Sequence, residues 1–463
     1  RSVDRGQPEQ REEGCERKRR GRRGGGTEGQ RKGERALGRR SFLRLFVRFF
    51  FFFQESEKKK ALSRCRMVSE TYVFANNKGG SGKSTIAFQL AASLAKKRPE
   101  TQVLAIDFSL YSDLTTMLCG GTSRPSLLAA SRGAQTALEG TSKDERVEGL
   151  LRALATGKQG GMSDEDSQVS GLFGGWNPFS PSKPRANQSG TADTKAEAPI
   201  DLRRFAVRPS DLLNEIDQGG DVQWDLPSNL WVCCSCGELP LEPQEVPDAV
   251  RRLRAAISAL PQNWVVMIDT DHLAKAPVSE LAFCAATKLI LPLSIDDNDF
   301  SRLFIDPTGN ALFDVLETLE GREAGWLQSK VHKVVFNSVL HYQNQPSQNE
   351  GIMLPFTPAK ACIQQMKNMA DQMYSVHKAE DKLVRFFVDG HKIGSTEDFR
   401  QRYFSGMRKA SEIVMNASKL LGCPICSLPS GMIAIDTLSC TIDAKVLQAL
   451  QNEVAILTDS VFS

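Results

Sequence analysis

The residues with the plainest capacity for chemistry are KGGSGKST, positions 78–85. Gly79, Gly80 and Gly82 allow backbone conformations and close approaches that a Cβ would block, so several amide N–H groups can turn toward one phosphate chain. An apolar pattern at helical spacing, STIAFQLAASLAKK, opens directly after the loop. A helix N-terminus there adds its dipole and free N–H groups to the same anion. Lys83 brings a positive charge to the terminal phosphates, the Ser84 hydroxyl is placed to ligand Mg2+, and Ser81 and Thr85 complete the candidate nucleotide contacts. The usual spacing G-x-x-x-x-G-K-[ST] fails only at its first glycine, where this chain has Asn77, and a second lysine, Lys78, stands five residues before Lys83.

Such a loop needs a strand to deliver it and a helix to receive it. TYVFA (71–75) reads as the strand, and QVLAID reads as the next one, ending on Asp107. Residues 71–107 thus form a strand, loop, helix, strand unit of about one βαβ crossover. Further buried strands are predicted at 229–234, 263–269, 288–293 and 331–340, with helical patterns between most of them, notably 248–260. Near-continuous apolar strands alternating with helices predict an α/β fold, a mostly parallel twisted sheet with helices on both faces. Beyond Phe356 the pattern is helical and charged through Leu421, followed by a strand candidate, GCPICSLP (422–429), and a last helix over about 443–461.

Two stretches break this regularity. Within 159–200, Gly, Ser and Pro fill 16 of 42 positions, a density that predicts a flexible insertion at about 120–200 in a single domain spanning 67–463. One helix is expected near 145–154, and LFGGWNPF (172–179) is an aromatic cluster within the insertion. Residues 1–66 carry 21 Lys+Arg against 9 Asp+Glu, so the whole chain's net +4 leaves −8 for the 397 residues from Met67 onward. An acidic body removes the global-charge case for nucleic-acid binding. The low-complexity basic segment reads as a leader upstream of a start at Met67. Its nine acidic residues fit poorly with an organelle transit peptide, although organelle targeting stays open. The longest apolar run, 42–53, contains Arg44 and Arg48 and is too short to span a bilayer. Eleven irregularly spaced cysteines indicate reduced thiols in an intracellular, cytoplasmic setting.

The pair Lys78 and Lys83 around three glycines resembles the deviant phosphate-binding loop of the ParA/MinD family of ATPases. Three further segments resemble the same family in the expected order. VLAIDFSLYSDLT (103–115) is similar to the second strand and first switch, with Asp107 at the strand end. NWVVMIDTD (263–271) is similar to the Walker B strand, where Asp269 would hold Mg2+ through water. LAFCAATKLILPLSID (281–296) resembles the alanine-rich helix and the strand ending in proline, and VVFNSVL offers Asn337 to the adenine base. The resemblance implies a P-loop NTPase fold and an ATPase that binds ATP with Mg2+ and forms a homodimer around it. Lys78 would cross to the partner's phosphates, and Lys78, Lys83 and Asp107 would be the catalytic residues. As an arginine finger does, Lys78 would supply charge in trans where negative charge develops.

The chain departs from the family at Ser109, where members carry a second switch aspartate. Serine is a poor general base, so slow hydrolysis with intact binding is expected, with Asp113 or Asp271 as substitutes. A nucleotide-binding switch with little hydrolysis is therefore one alternative. An ATP-dependent metal or iron-sulfur carrier is another, resting on Cys423 and Cys426 in CPIC and on Cys233, Cys234 and Cys236 in CCSC. The last helix has one lysine against Asp443, Glu453 and Asp459, which argues against direct membrane binding. For partners, a protein or DNA stays open, the latter on Arg385, Lys392, Arg400, Arg402, Arg408 and Lys409. The leading reading is a dimer switch that partitions or positions a cargo.

Overall fold

The computed structural model describes residues 70–122, 132–158, 198–216, 225–237, 239–272, 276–305, 311–341, 351–352, 354–379, 381–435 and 438–463. The leader at 1–66 and the aromatic cluster at 172–179 lie outside the described residues.

Seven strands, β1 (Glu70–Phe74), β2 (Gln102–Phe108), β3 (Leu230–Cys233), β4 (Trp264–Thr270), β5 (Lys288–Ser294), β6 (Lys330–Val339) and β7 (Phe404–Arg408), form one sheet in the order β3-β2-β4-β1-β5-β6-β7. Each neighbouring pair is parallel. The α-helices of five residues or more are α1 (Lys83–Lys97), α2 (Asp113–Leu118), α3 (Arg132–Gly140), α4 (Val147–Thr156), α5 (Pro209–Ile216), α6 (Val246–Ser258) and α7 (Pro277–Ala285), then α8 (Asp297–Ser301), α9 (Leu312–Arg322), α10 (Lys360–Ala379), α11 (Thr396–Tyr403), α12 (Glu412–Leu421) and α13 (Ala444–Val461).

Successive strand residues point to opposite faces, and helices cover both. Tyr72, Phe74, Val103, Ala105 and Met267 join a core with α1, α2, α12 and α13. Val73, Leu104, Ile106, Val266 and Ile268 join another with α4, α6, α7, α9 and α10. This is why β4 opens with the unbroken apolar run WVVMI, and every residue of the strand is buried. The α1 helix that follows the glycine loop buries Ile86, Phe88, Leu90 and Leu94. Each such side chain contributes roughly 1.5–3 kcal/mol, so the loop is mounted on one of the firmest elements of the molecule.

The α/β reading with a parallel sheet holds. Three local expectations do not. The stretch read as helical from 357 to 421 contains β7, five residues whose first four are buried; a strand this short between two helices shows no alternation of its own. GCPICSLP forms turns instead of a strand, and the strands come later as an antiparallel hairpin, β8 (Gly431–Ile435) with β9 (Leu438–Ile442). Pro424 has no amide to give to a ladder, which suits a turn. Finally, the helix expected near 145–154 is present as α4, but it is packed and not part of a loose loop: Val147, Leu150, Leu151 and Leu154 are fully buried in the same core as β2 and β4. The high Gly, Ser and Pro density lies further on, mainly at 159–197, outside the described residues.

Candidate phosphate-binding cleft

The β1 strand ends in the middle of the sheet, between β4 and β5, at the carboxyl edge where open α/β sheets form their ligand crevices. The loop leaving it is anchored by two asparagines. Asn76 Nδ2 donates to the Pro292 carbonyl at 2.7 Å and to Asp299 Oδ1 at 3.1 Å. Asn77 Nδ2 donates to the Arg302 carbonyl at 2.6 Å. The residue standing in for the first glycine is thus a tether to the end of α8. Gly82 has φ 92°, and a Cβ there would lie 2.0 Å from Asn337 Nδ2, so only glycine fits. The first turn of α1 carries no acidic residue and no side-chain cap, which leaves its amides open to an anion. Lys83 Nζ donates to the Lys78 carbonyl at 3.2 Å. Burial pulls its pKa below the ordinary lysine value, while Asp269, Asp271, Asp299 and Asp113 oppose the shift.

Asp107 and Asp269 face each other in register on β2 and β4, and both are fully buried. Asp107 Oδ1 accepts from the Ser109 amide at 3.0 Å and the Ser109 hydroxyl at 2.6 Å, and Oδ2 accepts from the Thr115 amide at 2.8 Å. Ser109 Oγ in turn accepts from the Asp113 amide at 3.2 Å. Asp107, expected among the catalytic residues, therefore lies behind the cleft wall and fastens the start of α2. Asp269 is the reverse: neither carboxylate oxygen has a well-formed hydrogen bond. Burial, then the Asp107 carboxylate, pushes its pKa well above the usual range, against the pull of Ser84 and Lys83. An orphaned carboxylate beside a half-buried hydroxyl fits a divalent cation that takes oxygen ligands from one or two side chains and from phosphates.

The cleft above has a volume of about 560 Å3. Gly79, Gly80, Gly82, Lys83, Ser84 and Thr85 form one side, and Ser109, Asp113, Asp271 and His272 another. Both substitutes for the absent second switch aspartate thus face it. Burial, then Asp271, raises the Asp113 pKa, while Lys83 and Lys419 lower it. Asp271 Oδ1 accepts from the His272 amide at 2.6 Å. Ser81 is buried under the loop, and its carbonyl accepts from Asn337 Nδ2 at 3.1 Å. Asn337 lines the cleft with Ser338, which sits at φ 57°, a conformation that non-glycine residues hold mainly at constrained sites. Lys78 is not a lining residue; its ammonium pairs with Asp296 at 3.1 Å.

Sequence reasoning missed Met117, Thr122, Met415 and Lys419, which close the remaining side. The first two follow the switch strand closely enough to be sought there, whereas the last two lie some 300 residues away. The CPIC cysteines give no second site: Cys423 is buried and Cys426 half-buried, and among the described residues no three His, Cys, Asp or Glu side chains converge as metal ligands. Cys119 and Cys234 approach to 3.7 Å as buried thiols. Five of the six cations proposed for DNA are spent in ion pairs: Arg385 with Glu320, Lys392 and Arg402 with Asp389, Arg400 with Asp371, and Arg408 with Glu453. Among the described residues no helix is long and apolar enough to cross a membrane.

The family model for the CobQ/CobB/MinD/ParA nucleotide binding domain (CbiA) matches residues 72–397, well over half of the chain. No curated protein matches the sequence as a relative. Solved structures that the chain is similar to include an ATP complex of a Cyanothece McdA variant, at 12% identity and TM-score 0.44, covering 85% of this chain and 96% of that one. Another is a plasmid partition protein from Borrelia burgdorferi bound to AMPPNP, at 10% identity and TM-score 0.40, covering 85% and 100%. A third is the Pyrococcus furiosus cell division ATPase MinD, at 11% identity and TM-score 0.38, covering 85% and 98%.

Proposed function

The chain belongs to the CobQ/CobB/MinD/ParA nucleotide-binding family, and from that premise we propose that it is a slow ATPase that binds ATP with Mg2+ and dimerises around it. The observation that carries the reading is the glycine loop of α1 placed beside the orphaned Asp269 carboxylate. The loop amides and Lys83 hold the terminal phosphates, and Ser84 and Asp269 hold the cation. Bound there, Mg2+ would neutralise charge on the phosphates as it builds. Asp113 and Asp271 orient the attacking water and receive its proton; Ser109 does not, because its hydroxyl is donated to Asp107.

Lys78 must leave Asp296 to reach a second subunit's nucleotide. The pair is exposed enough for that exchange, with side chains 27% and 44% accessible, and exposed pairs are worth only about 0–1 kcal/mol. A protein partner is favoured over DNA, because the cations at 385–408 are already paired. The α13 helix turns Leu447, Leu450, Val454 and Leu457 into the core, so its main apolar stripe is taken up by the domain. We place the protein in the cytoplasm, where its free thiols stay reduced. The cargo is one that is partitioned or positioned. The engaged Ser109 hydroxyl also favours a second reading, a binder whose turnover is negligible.

The test is sizing of the full chain without nucleotide, with ADP-Mg and with ATP-Mg, beside phosphate release and a Lys78→Ala variant. An ATP-specific dimer lost in the variant is expected, with slow release. A monomer under every condition overturns the trans-lysine switch. ATP-dependent dimers with no phosphate release would favour the silent binder.

A further inference from the structure

One side of the cleft is built by residues that belong neither to the loop nor to the strand ends. The α12 helix lies beyond the residues the family model matches. Its Ser411 cap accepts from the Val414 amide at 3.3 Å, and it stops at Gly422, φ 66°. Val414, Ala417, Ser418 and Leu421 form its buried side. Ser418 Oγ accepts from Gln89 Nε2 of α1 at 2.9 Å, so α12 is seated on the helix that carries the phosphate loop. Met415 and Lys419, one turn apart and therefore on one side of α12, both line the cleft.

The far end of α12 is pinned against the switch segment. A Cβ on Gly121 would lie 2.2 Å from the Leu420 carbonyl, and one on Gly422 would lie 2.5 Å from the Gly121 nitrogen. Two backbones meet here with no space for side chains. The Thr122 amide then donates to the Lys419 carbonyl at 2.9 Å. The backbone of Lys419 is thereby fixed to the segment that follows α2.

The three lysines of this region differ in what they hold. Lys83 donates to the Lys78 carbonyl, and Lys78 pairs with Asp296. Lys419 is half-buried, and its ammonium makes no hydrogen bond or ion pair with a described residue; its positive charge lowers the pKa of the Asp113 carboxylate across the cleft. A fixed, unspent, half-buried cation on the wall of a cleft with an anion-binding loop has a ready ligand in a phosphate oxygen, where charge-assisted hydrogen bonds are strongest.

We propose that Lys419 is a nucleotide-contacting residue, its ammonium taking a phosphate oxygen from the α12 wall while Met415 packs against the nucleoside. This rests on the ATP-binding reading above. The experiment is calorimetric titration of the full chain with ADP-Mg and ATP-Mg, with adenosine measured by competition, for wild type, K419M, K419Q, M415A and K83A. K419M and K419Q should bind ADP and ATP about tenfold more weakly, the loss of one charged hydrogen bond, with adenosine unaffected. M415A should weaken all three. Melting without nucleotide identifies any variant whose loss comes from misfolding, and K419Q then replaces K419M. Unchanged ADP affinity in both Lys419 variants overturns the proposal, as does an equal loss for adenosine. A wild type that binds ADP and ATP no better than K83A overturns the ATP-binding reading itself.

Discussion

Two aspartates end neighbouring strands in direct register, equally buried, and differ in nearly everything else. The end of β2 is closed: the Asp107 carboxylate takes three hydrogen bonds and, through Ser109, fastens α2. The end of β4 is open: Asp269 is left bare beside Ser84 and Lys83. Burial alone would make both expensive. A carboxylate whose hydrogen bonds are satisfied by its own chain is a structural part, and one that is not satisfied is kept for a ligand.

The largest expected effect breaks the closed end. Asp107→Ala leaves buried amides of Ser109 and Thr115 without acceptors and should cost about 3 kcal/mol in chemical denaturation; a loss below 1 kcal/mol would mean that water replaces the carboxylate. At the open end, Asp269→Asn should remove the magnesium-dependent part of ATP affinity, on the order of a hundredfold, while leaving the ligand-free melting temperature unchanged or higher, because a buried carboxyl group without hydrogen-bond partners is gone. Equal ATP affinity with and without magnesium in the wild type would remove the contrast. The water-orienting role can be divided next. Asp113→Asn should slow phosphate release about tenfold or more, whereas Ser109→Ala should lower stability with turnover unchanged; the reverse pattern would return the serine to the chemistry.

The smallest effect extends the contrast to a buried imidazole. Burial lowers the His332 pKa to about 4 from 6.5, with Lys288 and Lys333 adding to the shift, while the hydrogen bond to the Val461 carbonyl and the Glu70 charge oppose it. A folded-state pKa below the unfolded one contributes stability that is present above 6.5 and lost as pH falls toward 4. Wild type should lose roughly 1 kcal/mol in the first pH unit below the unfolded value, and a His332→Gln variant should show a flatter profile by equilibrium denaturation.

What could be read in the sequence was whatever is local in the chain. The glycine loop, Lys83 and Ser84 are consecutive, and Asp269 and Asn337 are marked by the apolar strands that end near them. The covered sheet was legible for the same reason, through uninterrupted strands. The role of Asp107 was not, because its partners form only once α2 folds back over the strand end. The Lys78 pairing with Asp296 spans 218 residues, and the neutralised arginines on and around α11 depend on acidic residues from several elements. Met415 and Lys419 belong to a helix with an ordinary amphipathic pattern, and it is the seating of that helix on α1, through Gln89 and Ser418, and the meeting of Gly121 with Gly422 that bring them to the cleft.

That meeting sets a schedule. The phosphate loop lies near the start of the described residues, yet the segment that completes its cleft is more than 300 residues downstream. Contacts of such separation form late, after the local ones. A folding chain can curl the loop long before the far wall of the cleft closes over it, so a chain cut short before α12 should lose affinity for nucleotide even where its loop and sheet are formed.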